Sequence, residues 1–523
     1  MSQVNRRRVL LGGLAAVTAT AASAALPSWA SARTTAAAPA IHDPFQLGVA
    51  SGDPLPDSVV LWTRLAPAPL NADGFGGMPD ATYAVDWEIA NDAAFSSIVQ
   101  SGSVSAVRAS AHSVHIEPAG LQPAREYFYR FKTSGYISPV GRTRTAPAAG
   151  AAVNQLKYCF TSCQHWEEGY YHAYKGVVAD DPDLVLFLGD YIYEKKSGRA
   201  AAERNPRSLA VPDDTTTLAL YRARHGQHKT DADLQAAHAI APWMVVFDDH
   251  EVMNNWNGTT SPASTARKSA GFQAFYEHTP IRSTAKPNGA SIQLYRQFVW
   301  GNLARFHMLD TRQFRNAQVA DPSGSSGPAC TDMRNTSRSI LGTAQEAWLL
   351  KQFESHPTTW DFLGQQVFFA TRDGDGNKAT CESPDSWQGY EASRDRIAKG
   401  WVDRKVANPV VLTGDVHRHW AADLRLDYFD HSDPIIGSEL VTTSVTSNSD
   451  TATPPTAAWL ANNPHVKYCK GERGYVRVTT TPSQTRADFM TTSDTSVYDP
   501  AKVVIKNDAS YVVQAGTPGL RKV

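Results

Sequence analysis

Beyond residue 153 the chain alternates strand-length apolar runs with amphipathic segments, and this alternation restricts the fold more than any other feature. The runs are "LKYCFTSC", "DLVLFLGD", "MVVFDD", "LARFHMLD", "WDFLGQQVFF" and "PVVLTGDVH"; between them lie stretches such as "GYYHAYKGVVAD" and "TAQEAWLLKQFES". Buried strands interleaved with helical patterns are the signature of an α/β domain, here expected over 153–490. The preceding residues follow another rule. "SVVLWTRL", "ATYAVDWEIA", "AHSVHIEPA" and "EYFYRFKT" are short, alternating and rich in β-branched and aromatic residues, with Gly, Pro, Asn and Asp between them. They predict an all-β sandwich over 43–146, and "LQPAREYFYRF" has the look of the tyrosine-bearing strand of an immunoglobulin-like fold. "RTTAAAPA" and "TAPAAGAAVN" read as linkers. The last segment, 491–523, reads as strand plus tail and finds no place in either domain.

The first 32 residues read as an export signal. Arg6, Arg7 and Arg8 precede an apolar stretch, and Ala30-Ser31-Ala32 supplies small residues for cleavage after Ala32. The arginine pair before Val9-Leu10 resembles a twin-arginine signal. The expected partner is then the twin-arginine export machinery, and the expected location is outside the cytoplasm: secreted, periplasmic or wall-associated. No later stretch is long and apolar enough to span a bilayer, so no membrane span is expected after processing.

The 523 residues are 42% hydrophobic and 19% charged, which is ordinary globular composition. A net charge of −1 predicts no bulk attraction to nucleic acid or anionic membrane. Five cysteines, Cys159, Cys163, Cys330, Cys381 and Cys469, leave at least one thiol unpaired. Cys330 with Cys381 is the first expected bridge and Cys159 with Cys469 the second. Cys163 then stays free.

Four strands end alike, in that the apolar run stops and a metal-competent side chain follows. These are Cys163 in "FTSCQHW", Asp190 in "LGDYIYE", Asp249-His250 in "VVFDDHEVMNNW", and Asp415 with His417 in "LTGDVHRHW". Ligands of open α/β sheets sit beyond the carboxyl ends of the strands, so the four ends are expected to converge. Gly189 would let the backbone turn tightly and deliver Asp190. Tyr193, three residues on, would offer a phenolate, a hard anionic oxygen that ionises near neutral pH only beside a strongly polarising charge. A metal-free alternative uses Cys163 as a nucleophile with His165 as its base. "DGDGN" (373–377) resembles the start of a calcium loop, but Lys378 and Pro384 stand where such a loop needs Gly and Glu; it reads as a surface loop.

"SCQHWEEGYYHAYKGVV", "DLVLFLGDYIYE", "FDDHEVMNNW", "LDTRQFR" and "LTGDVHRHWAADL" together resemble the PhoD family of alkaline phosphatases and phosphodiesterases. That family belongs to the calcineurin-like metallophosphoesterases, and its GDxxY element is similar to that of purple acid phosphatases. The resemblance implies an αββα catalytic sandwich behind a PhoD-type N-terminal β domain. It implies Cys163, Asp190, Tyr193 and His417 as ligands of a ferric ion, Fe(III). Asp190 would bridge to a second position holding calcium, Ca(II), with Asp249, Asp415 and either Asn254 or Asn255. A mixed sulfur, phenolate and imidazole set suits iron, and oxygen ligands suit calcium. His250 would contact the phosphoryl group with Glu251 orienting its ring, Arg312 would hold a phosphate oxygen or, equally, pair with Asp310 at the strand end, and His419 would stand behind the ligands or at the rim. The implied reaction is hydrolysis of a small or polymeric phosphate ester to an alcohol and phosphate. The alternative on the same site is a phosphodiesterase acting on phospholipid, nucleic acid or teichoic acid.

Overall fold

The computed structural model describes residues 38–198, 207–258, 263–319, 332–377, 383–448 and 455–523. The signal segment lies outside them, as do Cys330 and Cys381, and with them the first expected disulfide. Residues 39–523 form one compact unit.

The front of the chain supplies β1 (Val49–Gly52), β2 (Val60–Arg64), β3 (Tyr83–Ala90), β4 (Ile98–Ala106), β5 (Ser113–Ile116), β6 (Glu126–Thr133), β7 (Tyr136–Ile137) and β8 (Gly141–Arg144). β6 alternates strictly between buried and half-exposed positions, as a sandwich strand must. The Tyr127 hydroxyl accepts from the Gln122 amide at 2.9 Å, the backbone tie expected of a tyrosine corner. One sheet of this sandwich, β4-β3-β6-β7 with β8 beside β6, is its own. The other is not. β1, β2 and β5 continue a ten-stranded sheet that runs through the α/β region, because β1 pairs in parallel with β11 (Pro242–Val246). The linker at 145–154 therefore separates two chain segments without separating two sheets.

That long sheet contains β9 (Leu156–Thr161) and β10 (Leu184–Leu188), parallel to each other and to β11. On the far side lie β19 (Gly474–Thr480), β20 (Gln484–Thr492), β21 (Ile505–Gln514) and β22 (Thr517–Lys522). The C-terminal segment, left unplaced by sequence, thus closes one edge of this sheet. A second sheet follows the order β12 (Arg296–Trp300), β13 (Ala304–Met308), β14 (Trp360–Gln365), β15 (Pro409–Thr413), β17 (Gly437–Val441), β16 (His419–Leu424), β18 (Val466–Lys470). The two sheets pack face to face: Tyr158 of β9 meets Phe306 and Phe362 of the second sheet edge-on, with ring centroids 5.4 and 5.6 Å apart. Helices α1 (Ala173–Asp180), α2 (Leu218–His228), α3 (Ala232–Ile240) and α4 (Thr265–His278) share the core of the first sheet. Helices α5 (Gly342–Gln352) and α6 (Glu391–Asp403) cover the second, through Leu349, Phe353, Ile397 and Trp401 against Leu363 and Val411. This is the helix–sheet–sheet–helix order expected.

Each apolar run quoted above is a strand here. β10, β11, β13, β14 and β15 are buried along their whole length, which explains why they lack polar alternation. The two sheets touch at their carboxyl ends, where Ser162 and Ser444 form a parallel bridge. The site is built there.

Candidate metal centre

The β10 run ends at Leu188, and the chain reverses through Gly189 at φ +109°. A Cβ at this glycine would stand 2.4 Å from the Cβ of Asp248, so only glycine lets the β10 and β11 ends approach. The residues that follow are held in the left-handed region: Cys163 (φ 60°), Asp190 (59°), Asp415 (62°) and His417 (53°). For residues with a Cβ this costs about 1–2 kcal/mol each, and it aims each side chain off the strand end into a shared space.

Two groups of potential ligand atoms form in that space, each with all members within 4.8 Å of one another: Cys163 with Asp190 and His417, and Asp190 with Asp249 and His250. Asp190 belongs to both. Tyr193 joins the first, its hydroxyl 2.9 Å from Asp190 Oδ2 and 3.2 Å from His417 Nε2, while Ser447 Oγ donates to it at 2.6 Å. Its ring lies between His165 and His250, with centroids 4.4 and 4.2 Å away. His417 gives its Nδ1 proton to the Asn448 carbonyl at 2.6 Å, which leaves the Nε2 lone pair facing Asp190 and Tyr193. That is the tautomer a metal requires.

The electrostatics call for added positive charge. Burial, together with Asp249, Asp248 and Glu251, raises the Asp190 carboxyl well above the carboxylate range, despite His250. Burial and the carboxylates of Asp190, Asp415 and Asp248 raise the Cys163 thiol well above its ordinary value, despite a hydrogen bond from Ser162. Burial, then Asp190 and Cys163, do the same to Tyr193. Asp415 rises to about 6 through burial and Asp385, against the pull of Arg312. Left alone, Asp190, Cys163 and Tyr193 would keep their protons; cations between them would let them ionise together. A thiol, a phenol, an imidazole and several carboxylates so arranged fit a metal centre. The same facts weigh against the alternative with Cys163 as a nucleophile, since burial and carboxylates drive its thiol away from the reactive thiolate form and the His165 ring packs at a tilt against Tyr193.

Several expectations change. Arg312, expected to hold a phosphate oxygen, is turned inward, its side chain fully buried. Its Nε donates to Asp248, and its Nη1 and Nη2 donate to Asp385 at 2.8 and 2.9 Å. The guanidinium also lies 3.9 Å from Asp249 and 3.8 Å from Asp415. It is an internal counter-charge for four carboxylates. Glu251 does not orient His250; it caps the strand ends, accepting from the backbone amides of Asp190, Tyr191 and Asp248. Glu194 takes that role, with Oε2 2.6 Å from His250 Nδ1. Asn254 Oδ1 is occupied by Lys195 at 2.7 Å, and Asn255 serves through its backbone, donating to Asp249 Oδ2 at 2.6 Å. His419 is buried behind the centre, between the Thr443 amide and the Met490 carbonyl. Cys159 and Cys469 are free thiols, not a bridge.

The residues that sequence reasoning missed are Glu194, Asp248, Asp385, Ser447 and Asn448. Glu194 carried a signal, since it stands in "GDYIYE" four residues after Asp190. Ser447 and Asn448 sit in the hydroxyl-rich "TTSVTSNSD", which reads as loop.

The arrangement has known counterparts. The family model described as PhoD-like phosphatase matches residues 158–489, and that of the PhoD-like phosphatase N-terminal domain matches 29–147. Alkaline phosphatase D of Bacillus subtilis (strain 168) is 46% identical over 488 residues, which cover 92% of this chain and 82% of that one. The solved structure of PhoD superimposes with a TM-score of 0.87 at 44% identity, over 93% of each chain. Purple acid phosphatase PPD1 from yellow lupin (Lupinus luteus) seeds shares the fold at 13% identity and a TM-score of 0.55, over 89% of this chain and 73% of that one. Over both its front sandwich and its αββα body, the chain belongs to the PhoD-like phosphatase family, hydrolases of phosphate esters.

Proposed function

We propose that the chain hydrolyses phosphate esters at an iron and calcium centre held by Cys163, Asp190, Tyr193 and His417 on one side and by Asp190, Asp249 and Asp415 on the other. The observation that carries this reading is the double membership of Asp190, whose carboxylate is shared by two potential ligand groups at the strand ends. Such ions supply neutralisation of the phosphate charge, polarisation of its P–O bonds and a water acidified enough to attack near neutral pH.

The protein's own groups do the rest. Burial alone would weaken His250 as a base, but Asp249, Glu194 and Asp190 outweigh it and push its pKa up to about 10. Glu194, which bonds the ring directly and is not a ligand of the centre, favours the protonated ring even where cations offset Asp249 and Asp190. With Nδ1 on Glu194, its Nε2 proton is free to be donated to an equatorial phosphoryl oxygen, where charge develops. Ser447 steadies the Tyr193 oxygen, and the Asn448 carbonyl fixes the His417 ring. Arg312 holds Asp248, and Asn255 holds Asp249, so the second side keeps its shape.

We further propose that residues 1–32 direct twin-arginine export and are removed after Ala32. Among the described residues no helix is long and apolar enough to cross a membrane. The deciding experiment is elemental analysis of protein exported by its own signal, with p-nitrophenyl phosphate and bis-p-nitrophenyl phosphate as substrates. Iron and calcium with monoester turnover are expected. Turnover by protein stripped of both metals would refute the centre, and a higher rate on the diester would move the assignment to a phosphodiesterase. N-terminal sequencing of the exported protein checks the cleavage after Ala32.

A further inference from the structure

Over the ring of Tyr191 sits a cation that has no carboxylate partner among the described residues. Lys229, the residue that caps α2, is 1% exposed, and among the described residues no carboxylate lies within 4.0 Å of its ammonium. Burial alone pulls its pKa down to about 7. A buried, unpaired ammonium costs several kcal/mol unless something offsets it. Aromatic faces and one imidazole do so here. The ammonium lies 4.3 Å from the Trp62 ring centroid and 5.2 Å from that of Tyr191, and 3.4 Å from His238 Nε2. The Tyr191 hydroxyl meets the same His238 nitrogen at 2.8 Å.

These contacts join two parts of the fold. Trp62 belongs to β2 of the front sandwich, is fully buried, and donates its indole N–H to the Glu277 carbonyl at the end of α4. Tyr191 directly follows Asp190, the carboxylate shared by both ligand groups. The chain of contact runs Trp62, Lys229, Tyr191, Asp190. We propose that Lys229 is a positioning residue for the phosphatase centre: its ammonium, gripped by Trp62 of the front sandwich, clamps Tyr191 and so sets where Asp190 stands. The sandwich is then part of the active-site scaffold, and its sharing of a sheet with the catalytic strands is the architectural counterpart of this clamp. The inference rests on the metal-centre reading above.

Lys229→Met tests it in the mature, metal-loaded protein, since Met fills a similar volume without charge. An idle buried charge, once removed, would raise the melting temperature and change nothing else. A positioning charge gives a split result. The melting temperature holds or rises, metal is lost about tenfold faster on dialysis against a chelator, and kcat falls about tenfold with KM within twofold. Wild-type metal retention and kcat in a folded Lys229→Met protein overturn the proposal. Should that variant fail to fold, Lys229→Gln, which removes the charge but keeps a polar chain, is measured in the same way. Faster metal loss supports the clamp, and wild-type behaviour overturns it. A wild-type protein that binds no metal sinks the metal-centre reading and this one with it. A sound wild-type holoenzyme beside an unaffected variant sinks only the Lys229 assignment.

Discussion

Two buried charged regions lie on either side of Tyr191, and the protein treats them in opposite ways. In front, Asp190, Asp248, Asp249 and the part-exposed Asp415 crowd one another, with Arg312 and His250 as cations among them. Behind, Arg64 and Lys229 are buried with no carboxylate within 4.0 Å among the described residues, and His225, His238 and His278 surround them. The rear region solves its problem internally. Arg64 donates to the carbonyls of Ala111 and Gly74 and to His278, Lys229 lies on aromatic faces, and burial pushes the histidines toward neutrality. The front region is not solved internally, because burial and mutual repulsion leave Asp190, Asp248, the thiol and the phenol holding protons. A protein can bury excess positive charge against carbonyls and π faces. Excess buried carboxylate needs cations, and a site that concentrates it is a site built to bind them.

The contrast breaks most sharply at Asp190. Asp190→Asn is expected to lower kcat at least about 10³-fold and to deplete both metals while circular dichroism stays native; retained activity would remove the basis for a shared carboxylate. The next largest effect falls on the internal counter-charge. Arg312→Met leaves buried Asp248 without its cation, while Asp385 keeps Arg315, and stability in denaturant should fall by about 3–5 kcal/mol. A loss of activity with unchanged stability would instead return Arg312 to substrate binding. Glu194→Gln should lower kcat about 10–100-fold with metal content intact, since the ring of His250 loses its anionic partner but Asp190 and Asp249 remain. Asn254→Ala should change kcat and metal content by less than about twofold, its side chain being held by Lys195 at the surface. Calcium loss in that variant would restore Asn254 as a ligand.

Local chemistry was readable where it repeats along the chain. Gly189-Asp190 announced a tight turn after a buried strand, and the turn is there at φ +109°. The buried runs became strands, and the four strand ends converged. Arg312 misled because "LDTRQFR" ends a strand much as "FDDHE" does, and nothing local tells a side chain aimed at solvent from one aimed at Asp248 and Asp385, which lie 64 and 73 residues away. Ser447 could not be found, since its bond to Tyr193 spans 254 residues and its neighbours look like any hydroxyl-rich loop. The C-terminal segment was unplaceable for a related reason. β21 and β22 have ordinary strand composition, and only pairing with β20 assigns them to a sheet.

By itself the sequence determined the buried strands of the catalytic body, the tight turns at their ends and most of the metal-competent side chains. Those follow from residue type and spacing within a few positions, where apolar burial and glycine's freedom act. Tertiary structure alone decided that the sandwich and the catalytic body share one sheet, that Glu194 rather than Glu251 holds His250, and that Arg312 faces inward. Each of these is a choice among partners distant in the chain, made by which charges must be neutralised once water has been excluded.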